Sequence, residues 1–481
     1  MIMNGRLANL VFNRAIQTKA YRRLLQQKKI KLSHLRDEKD FKSLPITDKS
    51  SYIYKSAYRD LFPRQQIPPM VYASSGSSGQ PTFWWRGDEQ EKIGGQIHER
   101  IIRDVFQIKK TDSVLAIVCF SMGIWIAGPF TADSFREVAR RGYKITVATP
   151  GIEREDILSL LKNVAIHYDQ IIINGYPPFI MDVIVEAQKR HFPLPPTKLK
   201  FITAGDKFSE KWRSDLMARL NLANPEAIVN IYGSADAGVM GHETPLSIFL
   251  RCQAIKNKSL YHELFGQATI LPALVQYDPE LIYFETIGEE LVLTANTSIP
   301  LIRYNIHDLG LIKSFPEISA ILKKYNLSKI AQAKGLTKFK TPVLIIKGRS
   351  DVAVTFYALN IYPENIKMCL ERGKMSQYFS GKFAAYSDYT KGSKRERLHV
   401  NLELAPEVKL NSKLETWIKN EMVNGLEHTN IEFRKLRQSI GVRALPEINL
   451  LSSDSPEWGK LNRRQLVYVR GKKPKIVLPS A

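Results

Sequence analysis

The sequence is poor in cysteine and in acidic residues, and each shortage excludes something. Its three cysteines, Cys119, Cys252 and Cys369, lie far apart and form no CxxC pair. That excludes a zinc ribbon and a disulfide framework, and it suits a reducing compartment, so a cytoplasmic location is expected. Acidic residues number 47 against 70 lysines and arginines, a formal charge of +23. Such an excess points to an acidic partner: nucleic acid, a membrane surface or a polyanionic small substrate. The basic residues are scattered, and no helix-turn-helix, zinc-finger or RNP-like motif accompanies them, so no nucleic-acid partner is expected. Long apolar runs are also lacking. Residues 113–132 carry no charge, but Ser121-Met122-Gly123 and Gly128-Pro129 interrupt them. They read as a strand, a glycine turn and the start of a helix, not as a membrane span. The N-terminal MIMNGRLANLVFNRAIQ has no continuous apolar stretch and no small-residue cleavage site, so it does not read as a secretory signal.

What is present is an ordinary globular composition, 44% hydrophobic and 24% charged over 481 residues. That length suits about three domains, or one large and one small. Leu7, Leu10, Val11, Ala15, Ile16, Tyr21, Leu24 and Leu25 recur at helical spacing and predict one amphipathic helix over 7–25. Leu44-Pro45-Ile46-Thr47-Asp48-Lys49 predicts a turn into a capped helix. From 114 to about 312, apolar runs (VLAIVCF, KITVAT, QIIING, KFITAG, AIVNIYG) alternate with helical patterns, which argues for a layered α/β domain. Beyond 350 a helix at 364–371, an alternating strand through Leu398, Val400, Leu402 and Leu404, a helix at 410–426 and a strand at 466–469 predict a small α+β domain.

Four clusters carry chemistry. Ser74-Ser75-Gly76-Ser77-Ser78-Gly79-Gln80-Pro81-Thr82 can wrap an anion with backbone N–H groups and hydroxyls, although it is no Walker A loop. Ile231-Tyr232-Gly233-Ser234-Ala235-Asp236 ends a strand with an aromatic ring that can stack on a base and a carboxylate that can hold a hard cation. Leu301-Ile302-Arg303-Tyr304-Asn305-Ile306-His307-Asp308 offers a carboxylate able to accept two hydroxyl donors. Gly459-Lys460 places a lysine near the C-terminus.

Taken in order, these clusters resemble the acyl-adenylate-forming superfamily of acyl-CoA synthetases, peptide-synthetase adenylation domains and firefly luciferase. The branch they most resemble is that of phenylacetate–CoA ligases and their capsule-biosynthesis relatives. The resemblance runs from about residue 10 to 470. It also takes in Ala20-Tyr21-Arg22-Arg23, LPITDK, Tyr176-Pro177-Pro178, Thr203-Ala204-Gly205-Asp206, GRSD at 348–351 and Asn360-Ile361-Tyr362-Pro363. It implies an α/β fold: a large layered adenylate-forming domain over 1–348 that binds ATP and the acid, and a small, mobile, hinged α+β domain over 349–481.

The activity implied is ATP-dependent conversion of a carboxylic acid to acyl-AMP, with Mg²⁺, followed by transfer to a thiol of CoA or of a carrier phosphopantetheine. The resemblance gives Ser74, Ser75, Gly76, Ser77, Ser78 and Gly79 the phosphates. It sets Tyr232 and Gly233 against adenine, Gly205 and Asp206 beside the base, and Asp236 on Mg²⁺. Asp308 receives the ribose hydroxyls and Arg349 reaches ribose or phosphate. Lys460 bridges the α-phosphate and the carboxylate, and Asp351 is the pivot. The basic excess then serves ATP, the CoA phosphates or an acidic carrier. Trp125, Phe130, Tyr176 and Phe179 suggest a pocket for an aromatic or apolar acid. Departures from the family pattern are Gln80 for a lysine, Ala235 for Thr or Ser, Asp236 for Glu, Ile306-His307 for Thr-Gly and Ala358 for Gly. These leave two alternatives open: acyl transfer to a protein residue, an amine or a sugar, and a homologue that binds nucleotide or acyl groups with reduced catalysis.

Overall fold

A computed structural model describes residues 5–31, 33–74, 82–205, 207–266, 268, 271–349, 354–357, 359–389, 396–405, 408–459, 465–468 and 475–477. The chain divides into two compact units, one of residues 1–74, 83–266 and 272–346, the other of 75–82, 267–271 and 347–481.

The larger unit opens with two helices where the sequence pattern predicts one: α1 (Gly5–Ala15) and α2 (Lys19–Gln27). The break is chemical. Thr18 takes an extended backbone, and its hydroxyl accepts the Tyr21 N–H at 3.1 Å, capping α2. The apolar spacing runs through the break because Val11, Phe12, Tyr21 and Leu25 enter the same core. A short helix, α3 (Glu38–Ser43), follows. Strands β1 (Met70–Ser74) and β2 (Thr82–Arg86) pair with each other in a two-stranded sheet.

The five apolar runs become β3 (Ser113–Cys119), β4 (Lys144–Ala148), β5 (Gln170–Gly175), β6 (Leu199–Thr203) and β7 (Ile228–Ser234). They lie parallel in the order β4-β3-β5-β6-β7. Helices cover both faces, so the central strands are apolar throughout rather than alternating. On one face α4 (Asp88–Arg100), the turn after it and α5 (Ala127–Arg140) bring Ile101, Val105, Phe135 and Val138 onto Val114, Ile172 and Val229. On the other, α6 (Arg154–Asn163), α7 (Pro177–Lys189) and α8 (Glu210–Leu220) bring Leu158, Val183 and Leu216 onto Leu115, Ile173 and Phe201.

The sheet continues beyond β7 with β8 (Gly238–His242), antiparallel to it, and then, past the helix α9 (Pro245–Lys256), with β9 (Ala273–Gln276), β10 (Ile282–Ile287), β11 (Glu290–Ala295), β12 (Leu301–Lys313) and β13 (Val343–Arg349). Their spatial order is β8-β9-β13-β12-β11-β10, which makes eleven strands in all. The strip 44–49 is sewn to β12: the Thr47 N–H donates to the Arg303 carbonyl at 3.0 Å, and the Thr47 carbonyl accepts the Asn305 N–H at 2.7 Å.

The smaller unit has a two-stranded ribbon, 354–356 with 359–361, and a five-stranded sheet built on the antiparallel strands 379–389 and 396–404. The strand predicted at 466–469 spans Gln465–Tyr468 and pairs with 379–389. Helices Pro363–Glu371 and Ser412–Thr429 pack where Gly425 allows it, since a Cβ there would lie 2.6 Å from Cys369 Sγ. Among the described residues no helix is long and apolar enough to cross a membrane.

Candidate active site

The carboxyl ends of parallel strands collect ligand groups, because that edge leaves the N-termini of the following helices and the tight turns facing one cleft. Here that edge offers Tyr176 after β5, Gly205 after β6, and Tyr232 to Asp236 at and beyond the end of β7. Gly205 has φ +92°, a conformation that side chains disfavour, and a Cβ built on it would lie 3.5 Å from the Tyr176 ring.

Two buried carboxylates are fixed by tyrosines. Tyr232 Oη donates to Asp308 Oδ2 at 2.5 Å, which joins β7 to β12. Tyr304 Oη donates to Asp236 Oδ2 at 2.8 Å. Tyr304 is fully buried, and burial, followed by the Asp236 charge, raises its hydroxyl well above the usual range. It therefore stays a proton donor. The other oxygen of Asp236 meets Lys49 Nζ at 3.1 Å. The Lys49 ammonium also sits 5.6 Å from the centre of the buried Trp84 ring.

Arg86 approaches the same turn from β2. Its guanidinium donates to the carbonyls of Trp85, Ala235 and Asp236. Burial holds its pKa down to about 10, against the pull of Asp236. Lys49, Arg86 and Tyr304 have no part in the residue roles read from the sequence. Each lies within or beside a quoted motif, but none has a spacing that announces its partner.

His307 has φ +62°. Its backbone N–H donates to Asn305 Oδ1 at 2.8 Å, while its ring lies 3.2 Å from Glu290 Oε1 and 3.5 Å from Asp48 Oδ2. Asp48 in turn caps the turn Lys49–Ile53, with Oδ1 accepting the Ser51 N–H at 2.7 Å. The His307 departure is thus built into the wall that carries Asp308.

Of the residues predicted for an acid pocket, Phe130 is buried and packs on Gly238, whose φ is +80°; a Cβ there would sit 3.5 Å from the ring. The same ring limits Gly94, where a Cβ would lie 2.9 Å from it. Trp125 is 43% exposed, and its backbone bridges Ala73. Phe179 turns the other way and packs against the core formed by α6, α7 and α8. It starts from α7, where every third or fourth residue belongs to that core. Ser75, Gly76, Ser77, Ser78, Gly79, Gln80, Asp206, Asp351, Ala358 and Lys460 lie outside the described residues, and of Ser74 and Arg349 only the backbone is described.

Behind β7 a buried charge cluster braces the site. Glu243 Oε1 accepts Arg213 Nη2 and Arg251 Nη1, both at 2.7 Å, and its Oε2 accepts the Asn230 N–H at 2.9 Å. Arg213 is also bound to Glu210 at 2.8 Å, and Arg251 donates to the Phe208 carbonyl at 2.9 Å. The cluster therefore ties β7 to the segment that follows Gly205.

A single carboxylate at Asp236, already bonded by Tyr304 and Lys49, does not make a protein cage for a divalent cation. Among the described residues no group of three or more His, Cys, Asp or Glu could hold one. A Mg²⁺ held here would take one ligand from Asp236 and need the rest from a bound substrate and water.

No protein-family model matches the sequence, and no curated protein is significantly similar to it. Solved structures are similar in fold. A 2-hydroxyisobutyryl-CoA ligase in the postadenylation state, in complex with an acyl-AMP, aligns at TM-score 0.63 and 16% identity, over 99% of this chain and 88% of that one. The same ligase with acyl-AMP and CoA in the thioesterification state aligns at 0.52 and 16% identity, over 98% and 88%. An acyl acid amido synthetase in complex with 2,4-DB aligns at 0.52 and 13% identity, over 95% and 87%.

Proposed function

The chain has the fold of the acyl-adenylate-forming superfamily, and from that premise we propose that it activates a carboxylic acid as acyl-AMP and passes the acyl group to a thiol. The observation that carries the reading is the pair of tyrosine-held carboxylates at the carboxyl edge of the sheet, Asp308 with Tyr232 and Asp236 with Tyr304. Asp308 binds the ribose hydroxyls, with its orientation fixed by the Tyr232 hydroxyl, and the Tyr232 ring lies along the adenine. Asp236 would hold the Mg²⁺ that accompanies ATP, whose charge would offset the phosphates. The Ser74–Gly79 loop holds the phosphates with N–H groups and hydroxyls, and Arg349 reaches ribose or phosphate. Lys460 stabilises the charge that builds as the carboxylate attacks the α-phosphate and pyrophosphate leaves. Asp351 is the pivot that lets the smaller unit serve both half-reactions. The Phe130 ring against Gly238 favours an apolar or aromatic acid. CoA or a carrier phosphopantetheine is the acceptor, and the three unpaired cysteines suit the cytoplasm.

An amine acceptor is the second reading, supported by the likeness in fold to an amido synthetase. The test is exchange of labelled pyrophosphate into ATP across a panel of aromatic and aliphatic acids, followed by addition of CoA or of amines to the charged enzyme. Exchange that depends on one class of acid is expected, with a thioester as the product. An absence of exchange with every acid, in a chain that still binds ATP, would favour a binding homologue.

A further inference from the structure

The sequence departs from its family by placing uncharged Gln80 where the phosphate loop usually carries a lysine. Yet the site places two buried carboxylates, Asp236 and Asp308, where a polyanion would have to approach. Some cation has to offset them. Arg86 is the nearest guanidinium to Asp236, but it is 1% exposed and directed onto three backbone carbonyls. It braces the turn and presents little to a ligand.

We propose that Lys49 is the polyphosphate-binding lysine of this site, supplying from the 44–53 segment the charge that the loop lacks. The inference rests on the adenylation reading above. Three observations carry it. The ammonium stands at the site, 3.1 Å from Asp236 Oδ1. It lies over Trp84, the third residue of β2, the strand that leads out of the Ser/Gly loop. And it is open: the Lys49 side chain keeps 29% exposure against 5% for Asp236, with Asp236 its one acceptor among the described residues. An ammonium has three donors, so two remain for phosphate oxygens.

The segment around Lys49 is anchored more firmly than a surface ion pair requires. Thr47 is paired with β12 on both its N–H and its carbonyl, and its hydroxyl reaches the Ile302 carbonyl at 3.3 Å. Asp48 and Ser51 form a reciprocal cap, Ser51 N–H to Asp48 Oδ1 at 2.7 Å and Asp48 N–H to Ser51 Oγ at 3.0 Å. These bonds fix the backbone of Lys49 and leave only its side chain to adjust. In the resting site Asp236 neutralises the ammonium. With ATP bound, Asp236 would be the residue to hold an accompanying Mg²⁺, and the Lys49 ammonium, released from that carboxylate, would be free to donate to phosphate oxygens.

The experiment compares ATP, inorganic pyrophosphate and AMP binding, by calorimetry in Mg²⁺, to the wild-type chain and to Lys49→Met, Lys49→Arg and Lys49→Met/Gln80→Lys. Loss of one charge-assisted contact should weaken ATP and pyrophosphate about 10- to 100-fold in Lys49→Met and leave AMP within about threefold. Lys49→Arg should recover part of the loss, and adding Gln80→Lys should recover most of it. A structural role for Lys49 would instead lower the melting temperature and weaken all three ligands together. That outcome, or wild-type ATP affinity in Lys49→Met, overturns the inference while the adenylation reading stands. A wild-type chain that binds neither ATP nor pyrophosphate sinks both.

Discussion

Glu243→Gln tests how the site is held. Glu243 is 1% exposed and accepts from two buried guanidinium groups and one backbone N–H. Burial alone would lower the Arg213 pKa, but Glu243 and then Glu210 more than offset this and raise it, so the native Arg213 keeps its proton. Glutamine preserves the shape but removes the charge, and its amide nitrogen must then face a donor. Hydrogen bonds to charged groups contribute roughly 1.5–3 kcal/mol each, and whichever way the amide faces at least one is lost, so the loss from hydrogen bonding is at least about 1.5–3 kcal/mol. Breaking a buried ion pair from one side independently suggests about 3–5 kcal/mol. The check is a urea titration of the larger unit's transition, with ATP affinity measured below its onset. Because Glu243 holds the Asn230 N–H on β7 and Arg251 holds the Phe208 carbonyl, ATP affinity should fall as well. Removing a cation too, as Glu243→Gln/Arg251→Met, should restore part of the stability, since the single variant leaves two buried guanidinium groups sharing Glu210 alone. A loss below about 1 kcal/mol in Glu243→Gln would refute the reasoning, because it would mean that water or rearrangement already compensates the cluster.

Two further outcomes follow from the geometry. Tyr232→Phe deletes the 2.5 Å bond to Asp308 but keeps the ring, so calorimetry should show AMP and ATP weakened alike, by about tenfold; unchanged affinity would remove Asp308 from ribose binding. His98 is fully buried, with Nδ1–H donating to the Gly94 carbonyl at 2.8 Å, and burial holds its pKa down to about 4. The native ring stays neutral while the unfolded one takes a proton below about 6.5, so up to about 3 kcal/mol of stability should be lost as pH falls from 6.5 to 4. His98→Phe should flatten that slope in urea titrations run across this window, and an unchanged slope would exclude His98 as its source.

How far the sequence could be read depended on the range of the forces involved. The runs that became β3 and β5 to β7 declared themselves because a strand covered on both faces is apolar at most positions, and that is a local property. The N-terminal helix was misread for the opposite reason. Apolar periodicity reports which core a face enters, and α1 and α2 enter the same one, so only the side chain of Thr18 marks the stop. At the candidate site, the motif resemblance named Tyr232, Asp236 and Asp308 but was silent on what surrounds them. Arg86 reaches Asp236 from 150 residues away and Tyr304 from 68, through contacts that exist only once the sheet has closed. Lys49 is the sharpest case. Read locally, Asp48-Lys49-Ser50-Ser51 is a helix cap followed by a solvated lysine. That reading of the cap is correct, and the cap is what immobilises the backbone from which the ammonium reaches Asp236. A charge-changing departure in one motif is therefore best judged by asking which other element of the fold brings a charge to the candidate site.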